Sequence, residues 1–330
     1  MKLKYVCLLP VLATAFSFAH ENAQEKRIEF NREKMGGDFR IVIYSEDDKG
    51  VLAPIEEAYQ LVDSLVEIFS SYSNDSHLSR LNASKTLVAP PTDLVNLLIR
   101  SREAFENSEG YFDISIQSAI DIWNKAAREK RLPSKRKLKK ARTSVGFSNA
   151  VIRMDSLRLE INSNITLNLG GIAKGYIIDK VYLFLYDQGF EDFLVEAAGD
   201  IRVCGSPPES PYWPISVSPD ARLGFYVKLK SGQAIATSGS TYRFRQIKGR
   251  RYSHIIDPKT LTPVTHNTIS TVIADNAVAA DYLASTLNIV EDSKLIEAIT
   301  KKEKNTDFIL FSRDGIILKS ESFPILEDVK

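Results

Sequence analysis

The order of hydrophobic patterns along this 330-residue chain predicts an α+β protein, with mixed, mostly antiparallel sheets, packed helices and two lobes around a cleft. Two observations carry that expectation. After Phe193, apolar strand-like runs follow one another with only Gly, Pro and Ser turns between them, so the pattern is not that of a doubly wound βαβ protein. Helical periodicity is instead concentrated before Gln188 and again after Ala277, and no internal repeat period is present.

Taken in order, residues 40–44 read as a strand. Residues 54–71 read as a helix that places Ile55, Ala58, Leu61, Val62 and Leu65 on one face. Residues 92–107 repeat the helical pattern with Leu94, Leu97, Leu98 and Phe105, and a further helix begins near Gln117. Pro133-Ser134 then opens a strongly basic helix. Short strands are expected at 151–155 and 159–161, followed by a strand ending in paired glycines and a long helix to Gln188. Residues 193–197, 201–203, 215–218, 225–229 and 234–237 are strand candidates, with 207–214 as a surface loop. Helices at 277–289 and 293–300 precede a terminal hairpin of 308–312 and 315–319. No linker is long enough to demand separate domains, so one catalytic unit is expected.

Lys2 and Lys4 precede an apolar run over 6–18, and Ser17-Phe18-Ala19 offers the small residues a signal peptidase requires. Residues 1–19 are therefore expected to be an export signal and 20–330 the folded protein, exported and periplasmic. Cys7 lies near the start of the apolar run, so there is no lipobox cysteine at its end. Removing the signal leaves Cys204 as the sole thiol. An internal disulfide is then excluded, and stability must come from the core. No second stretch approaches the roughly 18 apolar residues of a membrane span. A net charge of +1 argues against a general nucleic-acid binder. The one basic concentration, 128–142, reads first as a solvated helix face. Its functional alternative is a dock for an acidic partner or an anionic membrane surface.

Three segments carry chemistry. Residues 166–179 read T-L-N-L-G-G-I-A-K-G-Y-I-I-D. Gly170 and Gly171 let backbone amides approach a phosphate, the following helix adds its positive end, and Lys174 adds a full charge. The bland alternative is a padded turn with Lys174 in solvent. Tyr252–Pro258 is a short strand running into a proline turn, and it holds His254, one of four histidines. Asp281 and Ser285 stand one turn apart on a helix, a carboxylate and a hydroxyl that suit Mg²⁺ with substrate phosphate completing its shell. Ordinary structural roles compete here too: a dipole-favoured carboxylate near a helix start, and a hydroxyl bonded back to a carbonyl. A serine hydrolase built on Ser238, His254 and Asp257 is disfavoured because Thr237-Ser238-Gly239 lacks the elbow glycine two residues before the serine.

These segments occur in order with Met35-Gly36, Phe69-Ser70-Ser71-Tyr72 followed by Ser76, Gly110-Tyr111-Phe112-Asp113-Ile114-Ser115, Ala198-Gly199-Asp200-Ile201 and Ala236-Thr237-Ser238-Gly239. Together they make the chain resemble the ApbE family of FAD:protein FMN transferases, once described as thiamine biosynthesis lipoproteins. The resemblance implies an ApbE-like fold. It also implies Mg²⁺-dependent transfer of FMN from FAD, through a phosphoester, to a threonine of a target flavoprotein, with release of AMP. It assigns FAD binding to Met35, Tyr72, Asp113, Ile114, Ser115, Asn168, Lys174 and Ile255. Mg²⁺ falls to the Gly171 carbonyl with Asp281 and Ser285, and His254 is placed close to the pyrophosphate. The implied catalytic set is His254, Lys174 and Asp281, with His254 either taking the hydroxyl proton or orienting the leaving phosphate. Tyr72 and Met35 would offer flat or polarisable surface, although each taken alone reads as core packing.

The chain departs from the family pattern at several positions. Asn168 stands for aspartate, Ser285 for threonine with Thr286 as a competing hydroxyl, Gly37 for threonine, His77 for glutamate, and Ala198 and Leu261 for glycines. Two alternative functions follow: an FAD-binding homologue without transferase activity, and an FAD pyrophosphatase releasing FMN and AMP. The implied acceptor is a threonine on the exported face of a membrane redox complex, such as Na⁺-pumping NADH:quinone reductase or its Rnf-type relatives, or on a secreted flavoprotein.

Overall fold

The computed structural model describes residues 25–220, 223–239, 244–312 and 315–326; the expected export signal lies outside them. The described chain opens with β1 (Lys26–Lys34) and β2 (Gly37–Ser45), joined by Met35-Gly36 at φ 55° and 75°. Two successive positive φ values make the tight turn whose twist matches a hairpin. Then come α1 (Leu52–Phe69), α2 (His77–Ser84), β3 (Thr86–Val88), α3 (Thr92–Asn107), α4 (Gln117–Arg128), α5 (Lys135–Ala141), β4 (Val151–Met154) and β5 (Arg158–Ile161). Ser134 caps α5 by accepting the Lys137 N–H, as the Pro-Ser start anticipates.

Residues 162–172 contain no strand, which corrects the expected strand before the paired glycines. The backbone of this segment is satisfied by side chains and loops instead of a ladder. Asn82 brackets Leu167, accepting its N–H at 2.8 Å and donating to its carbonyl at 2.9 Å. α6 (Ala173–Asp187) follows, then β6 (Phe193–Ala197), β7 (Asp200–Cys204), β8 (Trp213–Asp220), β9 (Leu223–Leu229) and β10 (Ala234–Gly239). The rest comprises β11 (Phe244–Ile247), β12 (Arg250–Ser253), β13 (Ile256–Asp257), β14 (Thr262–Pro263), β15 (Ile269–Ala274), α7 (Ala277–Leu287), α8 (Ser293–Thr300), β16 (Asp307–Ser312), β17 (Gly315–Lys319) and β18 (Ile325–Leu326). The strand expected across Tyr252–Pro258 is broken at His254-Ile255, between β12 and β13.

The α+β expectation holds. The main sheet has eight strands in the order β1-β2-β6-β7-β10-β15-β16-β17, and every neighbouring pair in it is antiparallel. Its two faces bury different cores. Phe39, Ile41 and Ile43 of β2 point to the layer of α1, α6 and α7, while Val42 meets Trp213, Val217 and Val227 of the small β8-β9-β18 sheet. A third core unites Ile122 and Trp123 of α4, Ala141 of α5, and Ile247, Tyr252, Ile256 and Leu261, so α4, α5 and β11–β14 form a smaller lobe. The Trp123 indole N–H ties that lobe together by donating to the Leu261 carbonyl at 2.8 Å. No helix among the described residues is long and apolar enough to cross a membrane.

Candidate active site

The glycine turn is built by the side chain of Asn168. Its Oδ1 accepts the Gly170 N–H at 2.8 Å, its Nδ2 donates to Gln117 Oε1 at 2.5 Å, and its own N–H donates to the Ile114 carbonyl at 2.7 Å. The shape of this turn needs an acceptor on residue 168, not a charge, and an amide supplies one. A Cβ on Gly171 would stand 3.1 Å from the Phe112 ring, so the turn is packed closely against the 110–115 segment.

Two helix starts meet just beyond the turn. A Cβ on Gly175 would lie 2.3 Å from the Ala277 carbonyl oxygen, so only glycine lets α6 approach the beginning of α7 this closely. Each helix sends a carboxylate to the other. Asp179 of α6 accepts the N–H groups of Ala277 at 2.8 Å and Val278 at 3.0 Å, and Asp281 of α7 accepts the Gly175 N–H at 3.2 Å. Both satisfy amides that a helix start leaves without partners, where negative charge is favoured.

The edge of this junction is completed by β7. Asp200 forms an ion pair with Lys174 at 2.6 Å, and Arg202, on the same face two residues later, pairs with Asp179 at 2.8 Å. The Arg202 guanidinium also stacks 3.9 Å from the Tyr182 ring centre. Two buried carboxylates, Asp200 and Asp281, and the partly buried Asp179 therefore face two cations. Asp179 and Asp200 each hold a basic side chain, whereas Asp281, only 7 % exposed, holds the Gly175 amide. Burial first, and the charge of Asp200 second, push the Asp281 carboxyl up to about 7, against the pull of Lys174 and the Gly175 N–H. Burial also raises Asp200 and Asp179 in spite of their cationic partners.

This imbalance is what a bound cation would relieve, and the donor set is made of hard oxygens. Asp281 and Ser285 share a face of α7, one turn apart, and Gly171 lies just before α6, whose Gly175 amide Asp281 holds. Thr286 does not compete with Ser285, because its buried hydroxyl donates to the Tyr282 carbonyl at 2.8 Å. Among the described residues no group of three or more His, Cys, Asp or Glu side chains could hold a metal, so a site here would use one carboxylate and neutral oxygens. The residues present fit Mg²⁺, which commonly takes few protein ligands and keeps waters and phosphate oxygens.

The remaining assigned residues fall into two groups. Asp113 and Ser115 are buried and turned inward: Asp113 accepts from the Ser115 N–H at 2.8 Å, the Ser115 hydroxyl at 2.6 Å and the Phe147 N–H at 3.2 Å, while Ser115 Oγ accepts the Gly146 N–H at 2.8 Å. Burial raises the Asp113 carboxyl against those bonds. These side chains shape the 110–116 turn and fix Ile114, whose carbonyl holds Asn168. Met35 and Tyr72 are exposed, at 37 % and 98 %, which overturns the reading of either as core packing. Met35 tips the first hairpin, and Tyr72 follows α1. His254 is exposed on the smaller lobe beside buried Ile255, whose N–H donates to Ser253 Oγ at 3.0 Å and whose carbonyl accepts from Val264 at 3.0 Å.

Asp200, Arg202 and Asp179 received no role from the sequence reading. The available signal was the pair Asp200 and Arg202, opposite charges spaced by two within the otherwise apolar D-I-R-V-C strand. Such a pattern places both charges on one buried face, where each needs a partner.

Known proteins resemble this chain in both sequence and fold. The sequence profile of the ApbE family matches residues 35–310. A FAD:protein FMN transferase of Haemophilus influenzae is 24 % identical over 336 residues, covering 97 % of this chain and 96 % of that protein. One from Vibrio cholerae is 29 % identical over 246 residues, covering 72 % and 73 %. The crystal structure of Pseudomonas stutzeri flavinyl transferase ApbE in its apo form superposes with a TM-score of 0.77 at 25 % identity, covering 90 % of this chain and 96 % of the other. The apbe protein of Thermotoga maritima gives 0.78 at 26 %, covering 90 % and 97 %. The matched span includes the glycine turn, the β6-β7 turn and the start of α7, and on that basis the chain belongs to the ApbE family.

Proposed function

We infer that this chain, a transferase, moves the FMN half of FAD onto a threonine hydroxyl of an exported target flavoprotein and releases AMP, with Mg²⁺ as the metal. The observation that carries this reading is the shared junction of Lys174, Asp281 and the glycine turn: a cationic side chain, a buried carboxylate that forms no ion pair among the described residues, and two helix starts in one place. A diphosphate carries about two negative charges, and its displacement chemistry depends on positioning and charge neutralisation. Mg²⁺, when held by Asp281, Ser285 and the Gly171 carbonyl, would supply charge neutralisation at the pyrophosphate.

The chain's own groups account for the rest. Lys174, steadied by Asp200, binds phosphate oxygens, and the Asn168 turn presents the Gly170 and Gly171 backbone to the same group. In the reaction the acceptor oxygen forms a bond to the FMN phosphorus, the P–O bond to AMP breaks, and AMP keeps the bridging oxygen. The hydroxyl proton leaves to a base, and His254 is the residue assigned either to that proton or to the leaving phosphate. Exposed Met35 and Tyr72 are the surfaces assigned to the flavin rings.

The test is to incubate the protein with FAD, Mg²⁺ and threonine-bearing apo-flavoprotein domains, then look for flavin fluorescence that survives denaturing electrophoresis. Labelled acceptor with equimolar AMP is expected. AMP and free FMN without labelling would make the chain a pyrophosphatase, and bound FAD with no AMP would make it a binding protein. His254→Ala is expected to slow transfer more than it weakens FAD binding, and the opposite pattern would remove His254 from proton transfer.

A further inference from the structure

The surface around α5 takes no part in the chemistry described above. Residues 125–142 contain ten Lys and Arg against one Glu, a local charge of +9 in a chain of net charge +1, so the rest of the chain sums to −8. Every one of these cations is exposed. Lys125 pairs with Glu129 at 3.4 Å and Arg142 donates to the Pro258 carbonyl at 3.4 Å, while Arg128, Lys130, Arg131 and the cations of α5 form no ion pair with a carboxylate among the described residues. Lys135 with Lys139, and Arg136 with Lys140, are like-charge pairs one turn apart, an arrangement that repels. A helix face needed only for solubility would mix signs.

The location of this surface matters as much as its charge. α5 is rooted through Leu138 and buried Ala141 in the same core as Ile256 and Leu261, and Arg142 reaches the Pro258 carbonyl. The cationic face and the His254-Ile255 break therefore belong to one packed lobe. Because Leu138 and Ala141 point into that lobe, α5 has no apolar face left for insertion into a bilayer, as an interfacial helix requires.

We propose that this surface docks an acidic protein, the one that carries the hydroxyl to be flavinylated, and presents it toward the 254–258 turn. The proposal rests on the transferase reading. Complementary charge of this kind acts mainly on encounter and orientation, and so on the apparent affinity for the acceptor rather than on flavin binding.

The test uses the full chain loaded with FAD and two fluorescent peptides, each with a photoreactive benzoylphenylalanine where the acceptor residue would stand. One is flanked by aspartates and the other by asparagines. The aspartate peptide is expected to bind at least about tenfold more tightly near 50 mM salt, to lose that preference near 0.5 M, and to cross-link within residues 244–264. Lys135→Glu/Lys137→Glu/Lys139→Glu should abolish the preference, with FAD affinity and circular dichroism unchanged. Arg136→Glu/Lys140→Glu is a second variant in case the first does not fold. A preference that survives both variants, cross-links elsewhere, or binding of phosphatidylglycerol vesicles in place of the peptide would overturn the proposal. Failure of the flavin reading itself would appear separately, as absence of FAD binding in the unaltered chain.

Discussion

Asp281 joins a structural cost to the metal-binding role proposed for it. Burial and the charge of Asp200 raise its carboxyl from 3.8 to about 7. Between those values the folded state holds a proton that the unfolded chain releases, so the contribution of this group is present at low pH and is lost as pH rises from about 4 through 7. Thermal unfolding in a chelator should accordingly show Asp281→Asn gaining stability relative to the unaltered protein at pH 7.5 but not at pH 4.5; parallel pH profiles would contradict the assignment. Because a metal requires the ionised form, Mg²⁺ affinity measured by calorimetry is expected to fall by about tenfold per pH unit below 7.

Residues 37 and 198 form a coupled pair. Ala198 sits at φ 47° in the β6-β7 turn, a conformation that costs an alanine about 1–2 kcal/mol, and a Cβ on Gly37 would lie 3.1 Å from the Ala198 methyl. Glycine at 37 makes room for alanine at 198. Gly37→Thr should therefore destabilise the protein, and Ala198→Gly should rescue it, with a coupling of at least about 0.5 kcal/mol by denaturant titration. Strict additivity would refute the pairing. Leu261 is a different case. Its φ of 56° carries a similar strain, but its buried side chain returns roughly 1.5–3 kcal/mol in the core of the smaller lobe.

At the scale of elements, the junction of α6 and α7 organises the site. Glycine inside an exposed helix costs about 1 kcal/mol relative to alanine, so Gly175→Ala would stabilise an isolated α6. Here the added methyl meets backbone at 2.3 Å, and overpacking of that kind costs typically 1–3 kcal/mol. The second effect is the larger, so a lower melting temperature and weaker Mg²⁺ binding are expected, and an unchanged melting temperature would mean that the helices can separate freely.

Much of this element-level architecture could be read in advance, for physical reasons. Amphipathic helices such as Thr92–Asn107 announce themselves by spacing, and the Gly-Gly-x-x-Lys turn by its composition. β15 did not, because I-S-T-V-I-A is buried on both faces and lacks alternation. β1 was obscured by charges, since K-R-I-E-F-N-R-E-K is a largely exposed edge strand. Residues 162–172 misled because their hydrogen bonds go to Asn82 and Ile114, partners set by tertiary packing.

Across the whole molecule, turns distant in sequence converge at one end of the main sheet. Met35-Gly36 and Ala198-Gly199 are tips of adjacent hairpins, linked where the Ala198 N–H donates to the Asp38 carbonyl at 2.9 Å. From there Asp200 reaches Lys174, and the amide of Gly175, the next residue, reaches Asp281. Lys174 and Asp281 could be singled out in the sequence as candidates because each has a distinctive local context. Asp200 was not, because its meaning lies in a partner on another element. The central claim is that this end of the sheet grips a diphosphate. Flavin fluorescence quenching by FAD and by riboflavin, compared between the unaltered protein and Lys174→Ala in Mg²⁺, tests it most directly. Loss of a charge-assisted contact worth about 1.5–3 kcal/mol should weaken FAD binding by roughly 10- to 150-fold while leaving riboflavin unaffected. Equal affinity of both proteins for FAD would contradict the account.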